Sequence, residues 1–325
     1  MRMQLAAVMR LGCRGLRALP WLMVAWLASS CGGGTQQIEP FHPRQMIFVG
    51  DETVGLLPDG RRYGVNGFDT NGTFNCAVLP IWSQQLASNF GFGVDNCASG
   101  APGVTRAFPN AKVADLDAQI SAQLAVGVTN KDLFVVMIGM NDIIDVYETF
   151  VGDRSCDAAN NSPPGGSMMA ELAARGHLAA VQISRIFAAD GRAIVSTVHD
   201  IGLTPYARAK EAVVPGQMNL LTCMTQIFNA RVRVDIRPLD GRFWGLVLAD
   251  DLTVAIVRNP TGYNMANWTD GICTVPLPDC TTSTLSTGAT VAPTNFLWAD
   301  DRHFSPVVHD QLAAQAITRA RNNPF

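Results

Sequence analysis

The chain has 325 residues, of which 48% are hydrophobic and 16% charged, a composition typical of globular proteins that excludes an intrinsically disordered chain. Its 24 basic and 27 acidic residues include no concentrated basic stretch, which argues against a nucleic-acid partner. The length accommodates one large domain, or two small ones, with an ample core.

The first 30 residues are predicted to be a leader that is not part of the fold. Their basic residues are Arg2, Arg10, Arg14 and Arg17. The apolar stretch Ala18–Ala28 follows and is too short to span a bilayer. The small residues at 28–30, then Cys31 and three glycines, resemble a bacterial lipoprotein signal that is cleaved before Cys31. An ordinary secretion signal with a chance cysteine is the alternative.

Cleavage at this position predicts an exported protein that is attached to a membrane by lipid on Cys31. Residues 31–44, glycine-rich and then polar with prolines, would form the tether. Without the leader, 20 basic against 27 acidic residues leave a net charge near −7. Gly32 is not the acidic residue that retains lipoproteins at the inner membrane of enteric bacteria, so we expect the outer membrane.

From residue 45 onward, predicted strands alternate with predicted helices. Short apolar runs predict strands at Gln45–Val49, Asp132–Ile138, Ala193–Val198 and Trp244–Leu248. Helical spacing and end signals predict helices at Leu79–Phe90, Leu116–Leu124, Ser167–Ala189, Asn219–Val234 and Pro306–Ala320, with Ser167 as an N-cap. Buried strands that alternate with helices predict an α/β domain over residues 45–325, with a parallel sheet and helices on both faces. The stretches Val151–Gly166 and Asn259–Asn295 are predicted to be irregular surface loops.

Six cysteines remain once Cys13 and Cys31 are set aside: Cys76, Cys97, Cys156, Cys223, Cys273 and Cys280. An even number in an exported protein suggests disulfides, for which 15 connectivities exist. Close spacing favours Cys273–Cys280 and Cys76–Cys97, which leaves Cys156–Cys223. No cysteine or histidine cluster has metal-ligand spacing, so we expect neither a zinc site nor a cofactor.

Four short motifs fall at or near the ends of predicted strands, where ligands bind in parallel α/β sheets. They are Gly50-Asp51-Glu52, Asn96–Gly100 (NCASG), Gly139–Asp142 (GMND) and Asp300–His303 (DDRH). In order and spacing they resemble the four blocks of the SGNH/GDSL hydrolase family. The resemblance extends from about Ile47 to the last helix and implies a flavodoxin-like three-layer α/β/α sandwich.

The resemblance also implies a role for each motif. In that family a serine of the first block attacks an ester, and the histidine of the last block is its general base. His303 would then be the base and Asp300 the residue that orients it, while Gly100 and Asn141 would donate to the oxyanion. The family serine falls on Glu52, which has no hydroxyl group. Thr53 is one position too late to replace it, and Asp51 is expected to be structural.

Three functions remain open from the sequence, one of which is a structural envelope protein without a ligand. By resemblance, the chain is an exported, lipid-anchored hydrolase of lipid, acyl or acetyl-glycan esters with an altered nucleophile position. The alternative is a catalytically silent relative that binds an acyl or glycan ligand in the cell envelope, in which Glu52 and His303 form an ion pair. A carboxylate beside the oxyanion donors opposes ester hydrolysis, which favours the second function.

Overall fold

The computed structural model describes residues 40–94, 97, 100–156, 167–238, 240–286 and 295–322, so the predicted leader and Cys31 lie outside the described residues. The strands are β1 (Gln45–Gly50), β2 (Phe92–Val94), β3 (Ala101–Thr105), β4 (Asp132–Met137), β5 (Arg192–Ser196), β6 (Trp244–Val247), β7 (Asn267–Gly271) and β8 (Phe296–Trp298). The helices are α1 (Trp82–Asn89), α2 (Leu116–Val126), α3 (Met140–Thr149), α4 (Met168–Ala188), α5 (Pro205–Val213), α6 (Gln217–Asp235), α7 (Ala249–Arg258) and α8 (Pro306–Asn322).

Six strands form a parallel sheet in the order β2-β3-β1-β4-β5-β6. With the edge strand β2 set aside, the order across the sheet is second, first, third, fourth, fifth, which is the flavodoxin-like order. The predicted fold class is therefore confirmed. Such a sheet binds ligands beyond the carboxyl ends of the strands, where the strand order reverses. Here that point lies at the ends of β1 and β4.

The sheet separates two hydrophobic clusters, because successive side chains of a strand point to opposite faces. In β1, Ile47 and Val49 pack with α2, α3, α4 and α6, whereas Met46 and Phe48 pack with α1, α7 and α8. Every residue of β4 is buried, as its continuous apolar sequence predicts. The domain therefore has three layers: one set of helices, the sheet, and a second set of helices, with one hydrophobic cluster on each face of the sheet.

Both ends of each predicted helix lie within three residues of the ends observed in the structure. Ser167 is the N-cap of α4, and its side chain accepts a hydrogen bond from the Met169 amide. Helix α1 begins at Trp82, three residues later than predicted, because Leu79 has a left-handed φ of 56° and a proline follows it. The stretch Asn259–Asn295, predicted to be irregular, contains β7 and a short 3₁₀ helix at Pro260–Tyr263. Residues 157–166 of the other predicted loop lie outside the described part of the chain.

All three predicted disulfides are present. They join Cys76 to Cys97, Cys156 to Cys223, and Cys273 to Cys280. The second bridge ties the chain that follows α3 to helix α6. The third closes a short loop between β7 and β8.

Candidate functional site

Glu52 lies in a tight turn at the carboxyl end of β1, and the turn depends on Gly50. Gly50 has a φ of 132°, and a Cβ atom there would lie 2.0 Å from the carbonyl oxygen of Met137 in β4. Only glycine fits such a close approach of two backbones. The turn places Glu52 over the edge of the sheet, with its side chain 3% exposed.

Asn141 reaches the same point from the neighbouring strand. Gly139, with a φ of 121°, separates β4 from α3, so Asn141 lies in the first turn of that helix. Its side-chain amide donates to Glu52 Oε2 at 3.1 Å and to the carbonyl oxygen of Ala111 at 3.2 Å. The second bond fixes the orientation of the amide toward Glu52.

His303 and Asp300 come from the segment between β8 and α8. Nδ1 of His303 lies 2.9 Å from Asp300 Oδ2, and the His303 backbone N–H donates to Asp300 Oδ1 at 2.7 Å. Nε2 of His303 lies 3.4 Å from Glu52 Oε1. The structure thus brings together four of the five residues proposed for the site: Glu52, Asn141, Asp300 and His303.

Gly100 is the exception, and its assignment as an oxyanion donor is corrected. It immediately precedes β3, which runs parallel to β1 with Val104 beside Ile47. Gly100 therefore lies at the amino end of its strand, on the edge of the sheet away from Glu52. The rest of its motif, apart from Cys97, lies outside the described residues.

The backbone N–H group that was expected from Gly100 is supplied by Asn110. Its backbone N–H donates to Glu52 Oε2 at 2.7 Å, and its φ is 62°. Asparagine is the non-glycine residue that most readily takes a left-handed conformation. In the sequence, the signal for this donor is the pair Pro109-Asn110 in the loop after β3. A search for a glycine as the oxyanion donor overlooks this pair.

Charges within the site form an ion pair at neutral pH. Burial alone would raise the pKa of Glu52, but the hydrogen bond and charge of His303 and the amides of Glu52 and Asn110 lower it below its usual value. Burial lowers the pKa of His303, yet Asp300 and Glu52 outweigh that effect and raise it to about 9. The pKa of Asp300 falls to about 2 because His303 outweighs the effect of burial. His303 is therefore a cation between two carboxylates.

Asp51 supports the turn beneath this pair, as expected from the sequence. Its Oδ1 accepts hydrogen bonds from the backbone N–H of Thr53, at 3.0 Å, and from the Thr53 hydroxyl group. Burial and the charge of Glu52 raise the pKa of Asp51 to about 8, so its carboxyl group carries a proton at pH 7. The Thr53 hydroxyl points to Asp51 and does not line the cleft beside Glu52, so it is not placed to replace the nucleophile.

A cleft of about 390 Å³ opens onto the ion pair. It is lined by Glu52, Tyr63, Asn110, Asn141, Pro276, Leu277, Asp300, Asp301, Arg302 and His303. Among these described residues none is a serine, threonine or cysteine. The Glu52 carboxylate occupies the place to which the Asn110 and Asn141 donors point, and in an ester hydrolase that place receives the oxyanion.

His199 follows β5 and is fully buried next to the site. Its ring centroid lies 4.6 Å from that of Phe304 and 5.5 Å from that of Trp298. Burial lowers the pKa of His199 to about 3, so the ring is neutral and contributes packing.

In the described part of the chain, no group of three or more histidine, cysteine, aspartate or glutamate side chains is arranged to hold a metal ion. A search of the same residues for a helix long and apolar enough to cross a membrane found none.

No protein-family model matches this chain, and no curated protein matches it. Solved structures do match it. One is a member of the lipolytic protein G-D-S-L family from Veillonella parvula DSM 2008, with a TM-score of 0.41 and 10% identity over 84% of this chain and 96% of that chain. Another is an acetylxylan esterase from Geobacillus stearothermophilus, with a TM-score of 0.41 and 14% identity over 87% of this chain and 96% of that chain. A lipase/acylhydrolase from Enterococcus faecalis has a TM-score of 0.38 and 13% identity over 87% and 98% of the two chains. At such identities and TM-scores, these likenesses assign no activity to this chain.

Proposed function

We propose that this domain binds a small ligand at the Glu52–His303 cleft without hydrolysing it. The observation that carries the proposal is that Glu52 Oε2 accepts hydrogen bonds from both Asn110 and Asn141. These donors would have to stabilise a developing oxyanion during ester hydrolysis. A fixed negative charge in their place raises the energy of that transition state.

His303 is also unsuited to act as a general base at neutral pH. A general base must be neutral at the working pH, but Asp300 and Glu52 hold the pKa of His303 at about 9. With no hydroxyl group at position 52 and a protonated imidazole beside it, two components of nucleophilic ester cleavage are lacking. The cleft itself remains open to a ligand of the acyl or glycan class.

Glu52→Ser tests this proposal. Serine supplies the hydroxyl group, frees the oxyanion donors and removes one of the charges that raise the pKa of His303. We expect this variant to hydrolyse p-nitrophenyl acetate at least about a hundredfold faster than the matched control Glu52→Ala, since only the hydroxyl group differs between them. It should also react covalently with a fluorophosphonate probe, and His303→Ala should abolish the gain. A folded Glu52→Ser variant without any gain would contradict the assignment of position 52.

Ester hydrolysis by the natural chain is the second candidate, because the Asp300–His303 pair is in place. Turnover of p-nitrophenyl acetate by the wild type, with loss of that activity in His303→Ala, would replace binding with hydrolysis. Probe labelling of the wild type at a serine elsewhere would show that the nucleophile lies outside the turn after β1.

The proposed location is the bacterial cell envelope, with lipid on Cys31 and the outer membrane as the site of attachment. Three disulfides support export, because such bonds persist in oxidising compartments. Labelled palmitate fed to expressing cells should appear in the wild type and not in Cys31→Ser. Equal labelling of the two proteins would exclude attachment at Cys31.

A further inference from the structure

One side of the cleft is apolar and belongs to the loop that the Cys273–Cys280 disulfide closes. Pro276 and Leu277, here called the apolar wall, line the cleft from this loop. Pro276 is exposed and Leu277 half-buried, with part of the leucine packed against the small cluster around Val65 and Ile272. The remaining surface of these two residues faces a site that is otherwise largely polar.

The loop is held against a second segment of the cleft, Arg61–Asn66. The Asn66 backbone N–H donates to the carbonyl oxygen of Cys280 at 2.9 Å, and the Asn66 side chain donates to that of Pro278 at 2.8 Å. Arg61 also forms an ion pair with Asp279. The apolar wall is therefore fixed relative to Tyr63, which lies in the same segment and also lines the cleft.

Arg62 anchors that segment to the body of the domain. Its guanidinium group is buried and donates to the carbonyl oxygens of Cys76, Val78 and Leu79. A wall that is cross-linked by a disulfide and tied down through buried hydrogen bonds does not need to be ordered when a ligand binds. Such preorganisation favours binding because less side-chain and loop entropy is lost.

Most of the remaining lining of the cleft is polar and charged. Arg302 there makes a bidentate pair with Asp301, and Asn110 contributes an amide beside Glu52. A ligand that satisfies both kinds of lining must carry a polar group and, in a cleft of about 390 Å³, a short apolar group. Short acyl groups attached to a polar carrier have this chemistry.

We propose that the apolar wall binds the alkyl part of a short acyl group, with Leu277 as the residue that sets its length. This inference rests on the proposed function in one respect, namely that the ligand occupies this cleft. Each methylene group of the ligand that leaves water against Leu277 should strengthen binding roughly threefold.

The test uses N-acetyl-, N-propionyl- and N-butyrylglucosamine, whose amide bonds make them binding probes only. Dissociation constants are measured by NMR titration, which reaches the millimolar range. We expect wild-type affinity to rise roughly threefold with each added methylene group. Leu277→Asn, of similar size but polar, should abolish this dependence, whereas Leu277→Met should keep it because methionine is also apolar and of similar volume.

Thr274→Ala is the matched control, since Thr274 is exposed on the same loop and does not line the cleft. It should retain the wild-type chain-length dependence. The same dependence in Leu277→Asn as in the wild type, an affinity independent of chain length in the wild type, or no binding of any probe would overturn the inference. Failure of the proposed function would be seen separately, as turnover of esters by the wild type.

Discussion

At the scale of single residues, Glu52 determines what the site can do. Serine, glutamine and glutamate at this position would differ little in the backbone they require, but they differ in charge and in nucleophilicity. Glutamate removes the nucleophile and fills the oxyanion position at the same time. Glu52 also adds to the larger effect of Asp300 in raising the pKa of His303, so one side chain changes three properties of the site.

The pH dependence of stability should reveal this ion pair. The folded-state pKa of His303, about 9, lies above the ordinary value of 6.5 that we take for the unfolded chain. Its contribution is therefore fully present below pH 6.5 and is lost as the pH rises through 9. The difference corresponds to about 3 kcal/mol. Asp51, with its pKa raised to about 8, acts in the same direction. Urea unfolding should show stability falling between pH 6.5 and 9.

Glu52→Gln is the control for this measurement. Glutamine keeps the size and an acceptor for the Asn110 amide but removes the charge that raises the pKa values of His303 and Asp51. We expect a smaller fall in stability over the same pH range and a lower pKa of His303 in an NMR titration of its ring. A wild type whose stability is constant or rises from pH 6.5 to 9 would show that the pair is not charged as described.

Four of the five site residues could be predicted because the resemblance of their motifs to the SGNH/GDSL blocks implies them, and these motifs lie directly beside strongly apolar or helical segments. Glu52 follows β1, Asn141 follows β4, and Asp300 and His303 precede α8. Asn110 lies in the loop after β3, where the only sequence signal is the pair Pro109-Asn110, and its left-handed φ is known only from the structure. A search for a conserved residue type could not find it, because a backbone N–H makes the contact and every residue except proline carries one.

At the scale of secondary-structure elements, the turn after β1 depends on close contact between two backbones. Gly50→Ala should lower the free energy of unfolding by more than about 3 kcal/mol, or prevent folding, because the added methyl group meets a carbonyl oxygen that belongs to the sheet. Gly241→Ala is the control, since a Cβ at Gly241 has no heavy atom within 4 Å and should change stability by less than about 0.5 kcal/mol. Urea unfolding measures both. Equal effects of the two substitutions would contradict the geometry at Gly50.

The elements that the sequence predicted are those with a distinct physical signal. Strands β1 and β4 are buried on both faces and consist of continuous apolar runs. Strand β3 has the sequence APGVT, and only Gly103 in it is fully buried, so neither an apolar run nor an alternation marks it. Its position next to β1 is determined by long-range pairing, which a local pattern does not contain. The error at Gly100 has the same origin, because it depended on where β3 begins.

At the scale of the whole molecule, the three disulfides close loops of very different length. The bonded cysteines are 67, 21 and 7 residues apart for Cys156–Cys223, Cys76–Cys97 and Cys273–Cys280. A cross-link restricts the unfolded chain more when its loop is longer, which gives contributions of roughly 4, 3 and 2 kcal/mol in that order. Alanine substitution of each pair, followed by urea unfolding, should reproduce this order. A reversed order would mean that native packing around the bridges outweighs chain entropy.

The overall architecture was predictable because strand and helix signals alternate along the chain, and right-handed parallel connections leave few arrangements for such a pattern. The additional strands β7 and β8 were not predicted. They lie in a segment rich in threonine, proline and glycine, where the Cys273–Cys280 bridge and the Asn66 hydrogen bonds supply the order.

The entry point of the chain into the domain has a practical consequence. Pro40–Arg44 leads into the amino end of β1, and the cleft lies beyond the carboxyl end of the same strand. A resin or sensor chip coupled to the first residue of a chain that starts at Pro40 would therefore hold the domain by the end remote from its opening. Captured in this way, the protein can be screened against compound collections in flowing buffer while the opening of the cleft stays accessible.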